Sequence, residues 1–188
     1  MNFETSYGLL VSYYRNFEHK ASQELEAFFN EEIGLNEIEL EPLSYRSLLI
    51  VKFKKDPIPI LKKFDKKLKE DPYLFQVLLK FVPLEFCIKT SSEKIREIIK
   101  DKYSGKISDG DKWRIILRRR DTELDRNEII DAAAADLNNG EVDLEDSDYY
   151  IRVEILGERT YVSFSPISKI SVETYRKEEK NKISVQNY

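Results

Sequence analysis

The stretch that decides the fold is "WRIILRRRDTELDRNEIIDAAAADL", which runs from Trp113 to Leu137. It predicts a strand that ends in three consecutive arginines, followed by a helix that Asp125 caps. Side chains alternate along a strand, so Trp113, Ile115 and Leu117 share one face. The opposite face carries Lys112, Arg114, Ile116, Arg118 and Arg120. This basic face is either a solvated strand end or a surface that meets an anionic partner.

The elements around this stretch define one folding unit. "SSEKIREIIKDKY", residues 91–103, predicts a helix before the arginine strand, with Ser91 or Ser92 as its N-cap. After the second helix, residues 149–156 and 160–164 predict two strands joined by a tight turn at Gly157. The order is therefore helix, arginine-tipped strand, helix, strand, strand.

The N-terminal half predicts a different unit. Strand patterns occur at residues 7–14, 38–40, 48–53 and 77–88, and amphipathic helices in "FEHKASQELEAFF" and "DPIPILKKFDKKLKE". In the second helix Ile60, Phe64 and Leu68 line one face. The order strand, helix, strand, strand, helix, strand is the split βαβ, or ferredoxin-like, pattern. The sequence therefore predicts an α+β protein whose N-terminal domain is ferredoxin-like.

The composition is that of a globular cytoplasmic protein. The chain has 188 residues, 41% of them hydrophobic and 35% charged, with a single cysteine that fits a reducing compartment. The first residues are polar, so no signal peptide is predicted. The most apolar stretch, residues 73–88, is too short and too interrupted by polar residues to span a bilayer.

Although the net charge is only −4, basic and acidic residues are concentrated in different segments of the chain. Residues 89–120 contain eleven basic and five acidic residues, whereas residues 121–158 contain two basic and thirteen acidic ones. The basic segment could bind an anionic partner, or its residues could pair with the acidic run that follows in the sequence. A second basic block, the lysine-rich helix around residues 62–69, is interpreted as a solvated helix face.

Catalytic residues are scarce in the sequence. His19 is the only histidine and Cys87 the only cysteine, so the chain has no zinc ligand set and cannot use a mechanism that needs two imidazoles. Cys87 has no histidine nearby in sequence and is interpreted as an inert thiol. The six glycines are dispersed, and no phosphate-binding loop or dinucleotide fingerprint is present. We predict no catalytic residue, no metal site and no cofactor.

The acidic run "EVDLEDSD", residues 141–148, offers an alternative. Its carboxylates could hold Mg²⁺, although their spacing does not match a calcium loop. A solvated acidic loop is the simpler interpretation. A small metal-dependent enzyme that uses residues 143–148 is the weakest of the functional hypotheses.

The two halves together resemble the THUMP family. The resemblance depends on the opening stretch and on "VDLEDSDYYIRVEILGERTYVSFSPISKISV". The residues at positions that match the family pattern are Arg119, Arg120, Thr122, Leu124, Glu128, Val142, Asp143, Leu144, Val153, Glu154, Gly157 and Ser163. "LLVSYYRNFEHKASQEL" and "KFVPLEFCIKTSSEKI" also resemble the free-standing THUMP proteins that act as tRNA-acetylation adaptors.

The resemblance implies three segments: a ferredoxin-like domain at residues 1–89, a THUMP RNA-binding domain at 90–174, and a polar, mobile tail at 175–188. Fewer than twenty residues follow Val172, so we expect no attached catalytic domain. The resemblance also implies a partner, tRNA, held by its acceptor end near the 3′ CCA. The predicted RNA-binding residues are Lys112, Arg114, Arg118, Arg119, Arg120 and Arg126.

The function implied is that of a non-catalytic adaptor. It would present a cytidine in the D-arm of tRNA to a separate acetyltransferase, which forms N4-acetylcytidine. The alternative is a protein-interaction module whose acidic lobe docks a basic partner, with RNA binding incidental. If the arginines of the strand all form ion pairs inside the protein, no positive surface is left to bind RNA, and the adaptor hypothesis loses its support.

Overall fold

The computed structural model describes residue 3 and residues 5–186. Over this range it contains nine strands and five longer helices. In order they are β1 (Thr5–Tyr13), α1 (Glu18–Phe28), β2 (Glu39–Pro42), β3 (Leu48–Lys52), α2 (Pro57–Glu70), β4 (Leu78–Lys89), α3 (Ser92–Lys102), β5 (Lys112–Arg120), α4 (Arg126–Ala134), β6 (Glu141–Val142), β7 (Tyr149–Leu156), β8 (Arg159–Ser165), β9 (Ile170–Ser171) and α5 (Val172–Gln186). Among the described residues, every helix is too short or too polar to span a lipid bilayer.

The chain divides into two compact units. The ferredoxin-like unit comprises residues 7–83 and 169–186, and the arginine-strand unit comprises residues 84–168 with residues 3, 5 and 6. The boundary falls inside β4, between Pro83 and Leu84, a few residues before the boundary at residue 89 that the sequence suggests. The segment after residue 168 belongs with the N-terminal elements.

The ferredoxin-like unit has the strand order that a split βαβ requires. Its sheet runs β2-β3-β1-β4, and β9 pairs with the beginning of β4. β3 lies antiparallel between β1 and β2, as two interleaved βαβ units require. The predicted α+β fold class, with a ferredoxin-like N-terminal pattern, is therefore confirmed. Asp56 caps α2 by accepting a hydrogen bond from the N–H of Ile58, with Pro57 in the first turn.

The core of this unit is aromatic. Phe64 of α2 is fully buried, and its ring centroid lies 4.3 Å from those of Phe28 and Phe81. Phe29 and Phe75 complete the cluster around it. Buried aromatic rings each remove a large apolar area from water, so this cluster contributes strongly to the stability of the unit.

The arginine-strand unit is a mixed sheet with two helices over one face. The sheet order is β4-β8-β7-β5-β6; β5 runs parallel to β6 and β7, and β8 antiparallel to β7 and β4. The core between the sheet and the helices consists mainly of isoleucines of α3 and α4 against buried residues of β5, β7 and β8. Its fully or nearly fully buried members include Ile95, Ile98, Ile99, Tyr103, Trp113, Leu117, Ile129, Ile151, Val153, Ile155 and Val162.

The close approach of β5 and β6 requires a glycine. Gly140 has a φ of 73°, and a Cβ atom at this position would lie 2.6 Å from the carbonyl oxygen of Asp111. Only glycine adopts such a backbone without strain and without a clash. The indole N–H of Trp113 then donates to the carbonyl of Asn139 at 3.0 Å, which fixes the start of β5 against this segment.

The prediction of a polar, mobile tail from residue 175 needs correction. Residues 172–186 form α5, and two of its side chains contact the ferredoxin-like unit. The hydroxyl of Tyr175 donates to Asp65 at 2.8 Å, and Arg176 donates to the carbonyls of Phe75 and Pro72. Polarity alone suggested a tail because these anchoring partners lie about a hundred residues earlier in the sequence. Residues 187 and 188 lie outside the described part of the chain.

We expect Tyr175→Phe to lower the free energy of unfolding by about 1 kcal/mol, because the mutation removes one hydrogen bond to a carboxylate. Burial, followed by the hydrogen bond to Asp65, raises the pKa of Tyr175 above its ordinary value. The matched control is Tyr73→Phe, the same change at a side chain that is 52% exposed. Urea denaturation measures both; equal midpoints for the two variants would contradict the anchoring role of Tyr175.

Candidate nucleic-acid interface

The structure places the predicted basic residues on β5 and at the start of α4. Along β5, Trp113 and Leu117 point into the core, and the residues between them alternate as the sequence predicts. β7 follows β5 residue for residue, so that Arg114 lies beside Tyr150 and Arg118 beside Glu154. This alignment decides which arginines find partners inside the protein.

The first two basic residues of β5 have structural partners. Lys112 forms an ion pair with Asp143 at 3.0 Å. The guanidinium of Arg114 lies over the ring of Tyr150, 5.0 Å from its centroid, and donates to the carbonyl of Leu144. Both side chains therefore contact the acidic segment that follows β6, which is the alternative that the sequence left open for the basic strand.

The acidic segment, residues 141–148, forms hydrogen bonds with its own backbone and with the start of β5. Asp143 accepts the backbone N–H groups of Glu145 and Asp146, each at 2.9 Å. Asp148 accepts the N–H of Lys112 at 2.8 Å. Six of the eight residues 141–148 are exposed, so the interpretation as a solvated acidic loop holds, and these bonds define the turn within it. Within the described residues, no three histidine, cysteine or carboxylate side chains are arranged to hold a metal ion.

The titration of Asp143 tests this arrangement. The N–H groups of Asp146 and Glu145, followed by Lys112, lower its pKa to about 2, below the ordinary value of about 3.9. A depressed carboxyl pKa stabilises the fold above the unfolded-state value, and this contribution is lost as the pH falls from about 4 towards 2.

In an NMR titration, we expect the Asp143 carboxyl carbon to titrate near pH 2, and Lys112→Ala to move the midpoint upwards. An Asp143 midpoint near the ordinary aspartate value in the unmodified protein would show that the turn is not formed in solution.

The basic residues at the end of β5 and the start of α4 differ from Lys112 and Arg114, because three of them form no ion pair with another described residue. Arg118 and Arg119 are exposed, as is Arg126 at the first position of α4. Among the residues the structure describes, none of the three has a carboxylate within ion-pair distance. Arg118 donates to the carbonyl of Leu117 at 3.3 Å, and Arg119 donates to that of Leu124. Both keep their full positive charge towards solvent.

The start of α4 is capped as the sequence predicts. Asp125 accepts the N–H of Asn127 at 2.7 Å and that of Glu128 at 3.2 Å. The N–H of Glu128, then that of Asn127, and to a smaller extent the charge of Arg119 hold the pKa of Asp125 below its ordinary value. The cap fixes the start of α4, where Arg126 lies. We call the last three residues of β5, Arg118 to Arg120, the arginine end of β5.

The remaining arginine, Arg120, forms an ion pair inside the protein and is also partly exposed. One of its nitrogens lies 3.0 Å from Glu154, which is almost completely buried, and Arg120 itself stays 32% exposed. Glu154 is also bound by Arg152 of the same strand. The sequence analysis did not single out Arg152. The only signal is the pair of opposite charges two residues apart in "YYIRVEIL", a pattern that usually marks an exposed strand face.

A pocket of about 330 Å³ adjoins the end of β5. Its walls include Asp121, Thr122 and Leu124 from the β5–α4 connection and Gly157 from the β7–β8 turn. The N–H of Gly157 donates to the carbonyl of Arg120 at 3.0 Å and so joins the turn to the end of β5, while the hydroxyl of Thr90 donates to the carbonyl of Gly157 at 2.8 Å. The pocket follows directly after β5, but its lining holds three carboxylates, Asp121, Glu123 and Glu158, one cation, Lys89, and no arginine.

The other candidates from the sequence do not join this site. His19 lies in α1 and is exposed, and Cys87 is half-buried in β4. The lysine-rich helix corresponds to α2 of the ferredoxin-like unit, where Lys66, Lys67 and Lys69 pair with carboxylates of α2 and of the turn after α1.

The comparison with known families supports the resemblance seen in the sequence. Residues 89–165 match the family described as the THUMP domain, which includes the whole of β5, α4, β7 and β8. Residues 89–165 are therefore similar to a THUMP domain. No curated protein matches the sequence significantly.

Solved structures share the fold at low sequence identity. PH1313 from Pyrococcus horikoshii Ot3 matches with a TM-score of 0.57 and 21% identity, over 88% of this chain and 55% of that one. TrmN from Thermus thermophilus matches with a TM-score of 0.59 and 14% identity, over 84% of this chain and 45% of that one. A 4-thiouridine synthetase in complex with RNA and ATP has a TM-score of 0.59 and 12% identity, over 88% and 42%. The chain spans about half the length of these proteins.

Proposed function

We propose that this chain binds tRNA through the arginine end of β5 and acts as a non-catalytic adaptor in the cytoplasm. In this role it holds the acceptor end of the tRNA near the 3′ CCA. A separate acetyltransferase then modifies a cytidine of the D-arm to N4-acetylcytidine. The THUMP domain supports the general part of the proposal, because such domains bind tRNA in modification reactions.

One observation carries the proposal: Arg118, Arg119 and Arg126 are exposed, and none of them has a carboxylate within ion-pair distance among the described residues. A guanidinium binds phosphate oxygens through two parallel donors, a geometry that a lysine cannot reproduce. Contacts of this kind position a nucleic acid without reading its sequence. The fold is also that of a 4-thiouridine synthetase crystallised with RNA.

The first test is the salt dependence of tRNA binding. Phosphate contacts release counter-ions, so the logarithm of the affinity should fall with that of the salt concentration by roughly 0.7 to 0.9 for each contact. Three contacts therefore predict a slope near −2 to −3 in a filter-binding titration. A slope near zero would contradict RNA binding by this surface.

The second test addresses the adaptor role. Deleting the gene and mapping tRNA nucleosides by mass spectrometry should remove N4-acetylcytidine and leave other modifications intact. Reconstitution with the acetyltransferase should require this chain. Acetylation that proceeds equally well without it would refute the adaptor role, although tRNA binding could still stand.

One observation favours the alternative, a module that docks a basic protein. Val142 and Leu144 are 62% and 68% exposed, next to Glu141, Glu145 and Asp146. Leu144→Ser should weaken the binding of such a protein and leave tRNA affinity unchanged. The arginine substitutions discussed below should have the opposite effect.

A further inference from the structure

Glu154 is a buried carboxylate that binds two arginines at once. Its side chain is 2% exposed, and one of its oxygens accepts from Nε and Nη2 of Arg152 at 2.7 and 2.6 Å. The other oxygen accepts from Nη1 of Arg120 at 3.0 Å. The third nitrogen of Arg152 donates to the carbonyl of Ser168 at 3.2 Å. Every nitrogen of the Arg152 guanidinium therefore has a partner inside the protein.

In Arg120, by contrast, only one guanidinium nitrogen, Nη1, forms a hydrogen bond to another described residue. Its Nε and Nη2 have no hydrogen-bond partner within the described part of the chain, and a third of the side chain is exposed. Arg118 lies directly across the sheet register from Glu154. Glu154 therefore binds two guanidiniums, with Arg118 beside it in the strand register, and the cluster keeps an excess of positive charge.

The cluster is unusual because Arg152 is buried. Burial lowers its pKa, Glu154 opposes this effect, and the charges of Arg118 and Arg120 lower the pKa further. Removing one partner from a buried ion pair is strongly destabilising, because the other charge is left uncompensated. Glu154 therefore allows the arginines to stand close together despite their mutual repulsion.

We propose that Glu154 is a positioning residue for RNA binding. It fixes the guanidinium of Arg120 so that the two free donors face a phosphate in a constant orientation. This inference rests on the proposed tRNA-binding function and names a residue that makes no contact with RNA itself. A side chain held in place before binding loses less conformational freedom when the complex forms, and so binds more tightly.

Simple electrostatics predicts the opposite sign. Removing a carboxylate beside three arginines makes the surface more positive, and a more positive surface should attract a polyanion more strongly. The effect of a neutral residue at position 154 therefore separates positioning from net charge.

The test is a double-mutant cycle on tRNA affinity with Glu154→Gln and Arg120→Ala. We expect each single substitution to weaken binding about tenfold, as for the loss of one well-placed charged hydrogen bond. The double variant should also lose only about tenfold, because Glu154 acts through Arg120. Unchanged or tighter binding by Glu154→Gln would overturn the inference, as would a loss near a hundredfold in the double variant.

A matched control separates positioning from general damage to the fold. Glu85 is also buried in this unit and accepts hydrogen bonds from the hydroxyl of Tyr103 at 2.7 Å and the N–H of Phe164 at 2.9 Å. Glu85→Gln should cost stability and leave tRNA affinity unchanged. Affinities are compared at a temperature where circular dichroism shows each variant to be fully folded. A comparable loss of affinity in Glu85→Gln would overturn the assignment of Glu154.

If Glu154→Gln does not fold, the pair Arg152→Met with Glu154→Leu replaces both buried charges by apolar groups of similar volume, which proteins often tolerate. Arg120 then loses its anchor without leaving a buried charge behind, and we again expect about tenfold weaker binding. Wild-type affinity in this variant would refute the positioning role. Failure of the proposed function is distinguishable, because substitutions at Arg118 and Arg119 would then also leave tRNA binding unchanged.

Discussion

Arg118→Glu combined with Arg119→Glu should reduce tRNA affinity by about a hundredfold or more, since two charge-assisted contacts are lost. Both side chains are exposed, and each makes only one hydrogen bond to a backbone carbonyl. The variant should therefore fold normally. Its salt slope should also be shallower, by about 0.7 to 0.9 for each lost phosphate contact. Filter binding at several salt concentrations measures both quantities.

The control must change the net charge by the same amount elsewhere. Lys62→Glu combined with Lys63→Glu does so on α2 of the ferredoxin-like unit, where both side chains are exposed. We expect this variant to keep most of the tRNA affinity and the salt slope. If both double variants lose affinity equally, binding depends on net charge and the arginine end of β5 is not a specific site.

The arginines show how far the sequence alone defines the site. The alternation of side chains correctly places the basic face of β5, and the N-cap at Asp125 is confirmed. The sequence could not show that Lys112 and Arg114 are engaged with residues 143–150, because those partners depend on the register between β5, β6 and β7. The involvement of Arg118, Arg119 and Arg126 in RNA binding stays a prediction.

The fold was easier to predict than the site because periodicity reports local structure directly. The order of strands and helices in both halves is confirmed, since the helices show a 3.6-residue apolar period and the strands are runs rich in β-branched, aromatic and leucine residues. β6 escaped prediction because two residues are too short to show alternation. α5 escaped because the hydrogen bonds of Tyr175 and Arg176 join segments distant in sequence.

Phe64 connects the sequence pattern to the stability of the ferredoxin-like unit. The sequence places it on the apolar face of α2 with Ile60 and Leu68, and all three side chains are buried. In the structure the Phe64 ring makes close contacts with four other phenylalanine rings. No other side chain in this aromatic cluster has as many ring partners within the described residues.

We expect Phe64→Ala to lower the free energy of unfolding by about 3 to 5 kcal/mol, from lost apolar burial and the cavity left behind. Phe64→Leu should cost less, since it retains most of the volume. The matched control is Phe17→Ala, the same change at a side chain that is 47% exposed, where the cost should stay below about 1 kcal/mol. Urea denaturation followed by circular dichroism compares the three variants. Similar losses for Phe64→Ala and Phe17→Ala would contradict the central position of Phe64, because only a side chain enclosed on all sides leaves a cavity when it is truncated.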